Sequence, residues 1–556
     1  MSKKQKQNAP QKHSPSKSKT PSVPLTEKYP WAESAIVGVT ILALFFIRRN
    51  FIGIGMERDE GSYSMLGNWL ISGAKPYVDF YEMKPPGLFI VYGLLVKIFG
   101  YDAVSLQSGF CYVYALILVF SYLFFRNFIG KKSAMALLPV YGLLLMNLNM
   151  SGFTIQAEFL VLLFVMAGLY LFSLGRMKNN LFLLLGGGIL LGFSVMIKQA
   201  GIFYCLFAGI WLLFDWWKER NHKQSIVRML CFGAGGIISV ACVFIWLQML
   251  GVIKDALFWF VEFPGKYYLS NQSFSAGMNL LKRFSGDIIS QQPLFFVLAG
   301  IGLAIGWLLK ISKEEKIIFY SFFILSFLTI VPGFRFMSHY WILFAPGIAI
   351  AIAFAYQFIF QVVGKNSALR NAIALLFFII PVSVVVGKSD YYLSPNFDKI
   401  LHGVYGSNPF PEAKIVGDFL NKNMKQGDNI FIAGSEPELY LYTHTMGVSR
   451  HNFIGFLNIK SPYAKQWQEE AIKDVEAKKP RYFIFVNHPL SWMMAPDGEA
   501  TFFKWTQSYM PANYKVVYVA DQYSPGDVTN YVEGNQAATY QIKGNQFILV
   551  WERITK

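Results

Sequence analysis

The sequence predicts a polytopic α-helical membrane protein with a small α/β domain at its C-terminal end. Hydrophobic residues make up 54% of the 556 residues and charged residues only 15%, whereas about a quarter of the residues of a soluble domain are charged. Mean hydropathy is +0.37. Apolar runs long enough to cross a bilayer recur between residues 31 and 389, and after residue 389 the composition becomes that of a soluble protein.

The first thirty residues form a separate segment. They are rich in Lys, Ser, Pro and Gln and have no apolar face, so we expect a disordered tail over residues 1–30. Its seven lysines predict a cytoplasmic N-terminus. The apolar run 31–47 lacks a small-residue cleavage site, which predicts an uncleaved first span. Arg48 and Arg49 follow it on the far side and oppose the positive-inside rule, although the lysines outnumber them.

Ten further apolar runs have spanning length. They cover residues 104–125, 133–150, 158–175, 181–197, 200–217, 229–250, 293–309, 317–332, 340–362 and 369–387. The run 87–99 is too short, because a helix of that length reaches only about 20 Å whereas a span needs about 20 residues. We therefore predict that residues 87–99 form a helix on or dipping into the outer surface, which leaves about eleven spans.

The basic loops agree with this count. With the N-terminus inside and eleven spans, five short loops rich in Lys or Arg fall in the cytoplasm, as the positive-inside rule requires: 126–132, 176–180, 218–228, 310–316 and 365–370. A crossing by residues 87–99 would move all five outside. The net charge of +17 thus indicates membrane orientation, and we expect no nucleic-acid partner.

Isolated charged and polar residues gather on the predicted outer side. Such groups are costly beside hydrocarbon, which makes them functional candidates. Individually, Lys198 can be a snorkelling residue, Glu158 can interact with its helix dipole, and His339 can be an interfacial histidine. Together they combine carboxylates that can deprotonate a hydroxyl with cations that can hold a phosphate. The candidates are Asp59, Glu60, Glu82, Lys84, Glu158, Lys198, Arg335, His339 and Tyr340.

The run RDEGSYSMLGNWLISGAKPYVDFYEMKPPGLF, residues 58–89, resembles the first outer loop of GT-C glycosyltransferases. It is most similar to the branch with the protein O-mannosyltransferases and the bacterial transferase that adds aminoarabinose to lipid A. The shared pattern is Asp-Glu, a short helix, Pro-Tyr-x-Asp-Phe, then Glu-x-Lys-Pro-Pro; Glu158, Lys198 and the Arg335…His339-Tyr340 segment match later features. The resemblance covers roughly residues 30–390. It implies a GT-C-like domain that uses a polyprenyl-phosphate sugar on the outer face.

The residue chemistry is consistent with an inverting transfer. Lys84 and Arg335, supported by Lys198 and His339, are expected to hold the lipid phosphate as charge builds on its leaving oxygen. Asp59 is expected to be the general base that takes the proton from the acceptor hydroxyl.

Three other carboxylates are expected to assist. Glu60 would orient Asp59 or the acceptor, whereas Glu82 and Glu158 would bind sugar hydroxyls or the cations. This chemistry requires no metal, although relatives can carry one near the Glu of the Glu-Lys-Pro segment. Met83 stands between Glu82 and Lys84 in this chain, so no metal ligand is transferred and metal dependence stays open.

The polar C-terminal part predicts an extracytoplasmic α/β domain over residues 390–556, after a membrane domain over residues 31–389. Helices are expected at 411–423, 436–443 and 466–478, and strands at 429–433, 481–486, 514–520 and 546–551. This alternation lacks a phosphate-binding glycine loop. We expect the domain to support the membrane part or to help bind the acceptor.

The predicted function is a glycosyltransferase of the cytoplasmic membrane whose acceptor is a protein, a glycolipid or a surface polysaccharide. A lipid or solute transporter or flippase of envelope assembly is the alternative, although transporters tend to place their sites at the midplane and often contain repeats. A non-catalytic scaffold is a third possibility. The Asp215-Trp216-Trp217 triplet falls on the predicted cytoplasmic side, where Trp anchors the interface, and the Gly186–Gly188 run predicts close helix packing.

Overall fold

A computed structural model describes most of the chain. It covers residues 31–219, 221–269, 272–364, 366–522 and 528–554. The predicted tail lies outside the described residues.

Each of the eleven predicted spans coincides with a helix. The helices are Trp31–Arg49, Ala103–Ile129, Lys131–Leu145, Ala157–Lys178, Leu181–Ile197, Ile202–Lys218, His222–Met249, Pro293–Gly306, Lys313–Leu328, Trp341–Val363 and Ser367–Gly387. In the described part, seven helices are long and apolar enough to cross a membrane, or up to eight if the bent pair Phe274–Gln291 and Pro293–Gly306 is one span. The protein is therefore a multi-pass membrane protein, and the count of eleven stays a prediction.

Two helices form the connection between the first two predicted spans, which is called the first loop below. The helix Arg58–Ile71 begins at Glu57, and the predicted short helix runs over Gly87–Phe99. They cross where Gly67 faces Gly93, since a Cβ on Gly67 would lie 2.6 Å from the Gly93 nitrogen. The Gly87–Phe99 helix is largely buried in protein, and Gly87 lies directly against the Met196 carbonyl. The first loop is thus a packed part of the fold.

Ion pairs tie the ends of the spans together. Glu33, near the start of the first span, pairs with Arg126 at 2.8 Å and with Lys131 at 2.6 Å. At the other end of that span, Arg48 is buried and donates to the Gly152 and Thr154 carbonyls at 3.0 and 2.7 Å. One of the two arginines that oppose the positive-inside rule, Arg48, is therefore satisfied inside the protein.

The Asp215-Trp216-Trp217 triplet has a local structural explanation. Asp215 Oδ1 accepts from Arg176 Nη2 at 2.6 Å, and the Arg176 guanidinium lies 4.6 Å from the centre of the Trp211 ring. These contacts join the C-terminal parts of the helices Ala157–Lys178 and Ile202–Lys218, next to two of the basic loops.

A five-stranded mixed sheet forms the core of the C-terminal part. Its strands are β1 Ile430–Ala433, β2 Tyr482–Asn487, β3 Tyr514–Gln522, β4 Thr529–Glu533 and β5 Gln546–Arg553, in the order β1-β2-β5-β3-β4. Only β1 and β2 pair in parallel; the other pairings are antiparallel. The sequence prediction missed β4, whose exposed edge position leaves no run of buried apolar residues.

Short helices complete the polar segments. Besides the helix Ile253–Leu257, the described part of the chain has two π-helical turns and an amphipathic helix between the spans, and nine further helices around the sheet. Of those nine, the sequence predicted Phe410–Asn423, Glu438–Tyr442 and Ala464–Lys478, and the other six were not predicted. The π-helical turns are Phe258–Glu262 and Pro264–Tyr268, and the amphipathic helix is Phe274–Gln291. The nine helices around the sheet are Ser389–Tyr392, Phe397–Tyr405, Phe410–Asn423, Glu438–Tyr442, Ile454–Leu457, Ala464–Lys478, Pro489–Trp492, Thr501–Asn513 and Asn535–Thr539.

Helix packing supplies a test. A Cβ on Gly235 would lie closer than 3.0 Å to the Leu185 carbonyl, a separation that Cβ atoms essentially never show, whereas a Cβ on Gly233 meets nothing within 4 Å. We expect Gly235→Ala to destabilise the protein by about 1–3 kcal/mol, the usual cost of overpacking. Gly233→Ala, two residues away on the same helix, is the control and should be neutral or stabilising. Thermal unfolding in detergent measures both, and equal melting temperatures would contradict the packing.

Candidate active site

The N-terminus of the Arg58–Ile71 helix directs three consecutive charged side chains to three places. Arg58 contacts the C-terminal domain, donating to the Ser435 carbonyl and to Glu436 Oε1 at 2.9 Å. Glu60 is fully buried and faces the membrane part. Asp59 lies between them and is half-buried. Successive helical residues are about 100° apart, so the helix itself separates these three directions.

Glu60 anchors this helix through reciprocal hydrogen bonds. Glu57 Oε1 accepts from the Glu60 N–H, and Glu60 Oε1 accepts from the Glu57 N–H, both at 2.9 Å, which is a capping box. Glu60 Oε2 also accepts from the Ile155 N–H at 2.8 Å, and Gln156 Nε2 donates to Glu57 at 2.8 Å. Burial raises the pKa of Glu60 to about 7, and the Asp59 charge acts in the same direction.

Asp59 differs from its neighbours in having a free carboxylate. It has no hydrogen-bond or ion-pair partner in the part of the chain that the structure describes, but its charge acts on Glu82, Lys84 and Tyr340. A half-buried carboxylate of this kind can accept a proton from a bound hydroxyl.

Lys84 lies in the segment after the helix, where the charge of Asp59 acts on it. Its Nζ lies 3.5 Å from Glu82 Oε1 and 5.8 Å from the centre of the Tyr63 ring. Burial acts to lower the pKa of Lys84, but the charges of Glu82 and Asp59 outweigh it and raise that pKa above its usual value. Burial raises the pKa of Glu82, opposed by Lys84. Lys84 is therefore a cation held among carboxylates, with about a quarter of its side chain accessible.

A second cation cluster lies at the ends of three spans. Lys198 forms an ion pair with the buried Glu158, and its Nζ lies 3.7 Å from the centre of the Tyr340 ring. His339 Nε2 lies 3.9 Å from Glu158 Oε1. Glu158 is in the first turn of its helix, where a carboxylate interacts favourably with the helix dipole. Glu158 thus pairs with Lys198 and also faces the His339 ring.

Arg335 lies on a strained connection. Phe334 and Phe336 on either side of it have φ of +50° and +46°, a region that costs a non-glycine residue roughly 1–3 kcal/mol. Arg335 Nη2 donates to the Tyr268 carbonyl at 2.8 Å, and its guanidinium lies 3.8 Å from the centre of the Tyr268 ring. Its buried Nε–H has no hydrogen-bond partner among the described residues.

Electrostatic interactions show that these groups surround one place. The charges of Lys84, Glu158, Asp59 and Arg335 all act on the Tyr340 hydroxyl. Burial raises the pKa of Tyr268, opposed by Arg335, and Lys84 and Asp59 act on it as well. The structure thus brings together all nine residues that the sequence singled out, with Glu60 beneath as an anchor; their roles stay predictions.

The fold is also found in known proteins. Archaeoglobus fulgidus oligosaccharyltransferase in the apo form aligns with a TM-score of 0.52 and 13% identity over 92% of this chain and 75% of that one. The same enzyme, named AglB, in complex with an inhibitory peptide and a dolichol-phosphate gives 0.53 and 14% over the same shares. ArnT from Cupriavidus metallidurans bound to undecaprenyl phosphate gives 0.55 and 13% over 94% and 98%. The chain has the GT-C fold.

Sequence comparison reaches a shorter part of the chain. The model of the dolichyl-phosphate-mannose-protein mannosyltransferase family matches residues 83–246. This range includes Lys84, Glu158 and Lys198 but neither Asp59 nor Arg335. None of the curated proteins compared with the sequence matches it.

Glu82 has partners within its own loop, and the metal dependence of this protein stays a prediction. Glu82 Oε1 accepts from the Met83 N–H at 2.7 Å and faces Lys84. Within the described ranges no three His, Cys, Asp or Glu side chains come close enough to share an ion.

Sequence reasoning missed two aromatic residues of the site. Tyr63 follows Asp59 by four residues, which places both on one helix face, and this spacing could have identified it. Tyr268 had no such signal, because its position beside Arg335 depends on the π-helical turn Pro264–Tyr268. Both rings face cations, which stabilises a positive charge in a partly dry site.

The raised pKa of Glu60 supplies a pH test. Because the folded carboxyl has a pKa of about 7 against an ordinary 4.5, the native protein binds more protons, and this residue's contribution to stability is lost as pH rises from about 4.5 to 7. Glu60→Gln does not ionise. The melting temperature of the variant minus that of the native protein should therefore increase from pH 5 to pH 8. A difference that stays constant with pH would contradict the assignment.

Proposed function

We propose that this protein is an inverting glycosyltransferase. It moves a sugar from a polyprenyl-phosphate donor to a hydroxyl acceptor on the outer face of the cytoplasmic membrane. The observation that carries the proposal is the unpaired carboxylate of Asp59 opposite Lys84, with the free Nε–H of Arg335 at the same place.

The reaction needs one base and a stabilised leaving group. The acceptor hydroxyl oxygen attacks the anomeric carbon while Asp59 takes its proton, and the bond between that carbon and the phosphate oxygen breaks. The polyprenyl phosphate leaves with the electron pair, and Lys84 and Arg335 stabilise the charge on its oxygen. A single displacement inverts the anomeric centre. No residue has to protonate the phosphate, which is consistent with the absence of a second free carboxylate among the described site residues.

The other residues keep the cations in place. Glu82 holds Lys84, and Glu158 holds Lys198 and faces His339, while the Tyr340 ring lies beneath Lys198. Two solved GT-C proteins that the fold resembles carry dolichol-phosphate and undecaprenyl phosphate, which supports a lipid phosphate as the ligand here. The membrane domain over residues 31–389, the extracytoplasmic domain over residues 390–556 and a cytoplasmic N-terminus complete the proposal; the acceptor is a protein, a glycolipid or a surface polysaccharide.

Binding of undecaprenyl phosphate to the purified full-length protein tests the phosphate site. Lys84→Ala should weaken binding about tenfold or more, because a hydrogen bond to a charged group contributes roughly 1.5–3 kcal/mol. The control is Lys75→Ala, which makes the same charge change in the same loop at an exposed position. Equal losses in the two variants would indicate a general charge effect and would argue against the site.

Asp59→Asn separates catalysis from binding. The variant should bind undecaprenyl phosphate at least as well as the native protein, since a negative charge near the phosphate is removed. It should fail to restore the surface glycans or glycoproteins that mass analysis finds missing after loss of the protein. Asp79→Asn, an exposed carboxylate of the same loop, should restore them. Restoration by Asp59→Asn would rule out the proposed base and would favour a scaffold.

A further inference from the structure

A chain of hydrogen-bonding side chains joins the C-terminal domain to the first loop. Tyr81 Oη lies 2.6 Å from His451 Nδ1, and His451 Nε2 lies 3.2 Å from Glu470 Oε2. Tyr81 is 1% exposed and His451 is fully buried. The residue after Tyr81 is Glu82, and Lys84 follows two positions later.

Aromatic residues of two other elements hold the Tyr81 ring. It stacks on Trp259 with 3.9 Å between the ring centres and 4° between the planes, and Trp259 stacks on Trp467 at 4.9 Å. Trp259 belongs to the π-helical turn Phe258–Glu262 and Trp467 to the helix Ala464–Lys478. A ring packed in this way cannot swing to another partner, and a buried hydroxyl without a partner is costly, so His451 fixes the hydroxyl.

The segment after Tyr81 depends on such side-chain contacts. Glu82, Met83 and Lys84 lie outside any helix or strand. The Lys84 carbonyl accepts a hydrogen bond from Tyr77 Oη at 2.7 Å, and the Met83 N–H donates a hydrogen bond to the side-chain Oε1 of Glu82. Without a backbone ladder, the position of the Lys84 side chain is set by the anchors on either side of it.

The protonation state of His451 decides which atoms donate and which accept in the hydrogen bonds that join Tyr81, His451 and Glu470. Burial lowers the pKa of His451, and Arg450 acts in the same direction, whereas Glu470 and Asp474 oppose them. The neutral ring donates its Nε2–H to Glu470 and accepts the Tyr81 O–H at Nδ1. The hydrogen bond from His451 in turn lowers the pKa of Glu470 to about 2.

We propose that His451 and Glu470 are positioning residues of the phosphate site. By fixing Tyr81, the C-terminal domain sets the place of Lys84 and Glu82, so the site binds a polyprenyl phosphate at full strength only while this domain is docked. The inference rests on the proposed function, because it concerns the affinity of that same site.

A double-mutant cycle tests it with undecaprenyl phosphate and the full-length protein. Tyr81→Phe keeps the stack and removes the hydroxyl; His451→Phe keeps a ring and removes both nitrogens. Each should lower affinity on the order of fivefold, the size expected for one lost buried hydrogen bond. The double variant should be no weaker than the weaker single variant. His451→Asn, whose Oδ1 can accept near the place of Nδ1, should restore most of the affinity.

The control variant is Arg481→Gln. It breaks a 2.6 Å ion pair with Glu552 in the same domain, away from the first loop, and should leave affinity unchanged even where it lowers the melting temperature. Native affinity in Tyr81→Phe, or additive losses in the double variant, would overturn the inference while leaving the proposed function intact if Lys84→Ala is impaired. If the native protein does not bind undecaprenyl phosphate, the proposed function fails and this inference with it.

Discussion

The capping box at the start of the Arg58–Ile71 helix is the constraint on which the site depends. Glu57 and Glu60 satisfy each other's backbone N–H groups and also bind the 155–156 connection, so two buried carboxyl groups hold the first loop against the membrane part. A buried carboxyl without partners would be too costly to keep. With the helix start fixed, helical geometry alone directs Arg58 to the C-terminal domain and Asp59 to the site.

The cations of the site have partners, whereas one of its carboxylates does not. Lys84 and Lys198 are each matched by a carboxylate, and Arg335 stacks on Tyr268. Asp59 has no such match in the described chain. Held cations in a partly buried place can stabilise charge that develops on a ligand without reorganising, and a free carboxylate among them can take up a proton. This division of labour suits a reaction in which a phosphate leaves and a hydroxyl loses its proton.

The C-terminal domain is part of this arrangement through its contacts with the first loop. Arg58 binds Glu436 and the Ser435 carbonyl, the Met56 N–H donates to Tyr442 Oη at 2.7 Å, and Gly61 packs directly on Glu438. A larger residue at Gly61 would collide with the Glu438 backbone. The domain therefore touches the helix that carries Asp59 and, through Tyr81, the segment that carries Lys84.

Local patterns determined much of this protein. Apolar runs located eleven helices of the described part, although the number that cross the membrane stays a prediction, and the isolated charges identified residues that do meet. The sequence could not reveal which cation each carboxylate pairs with, nor that Arg48 is buried, because those partners are distant in the chain. The edge strand β4 and the place of Tyr268 were likewise decided by tertiary contacts. The composition of a segment determines whether it is stable in lipid or in water. The ion pairs of the site join residues that are distant in the chain, so they depend on how the segments pack together.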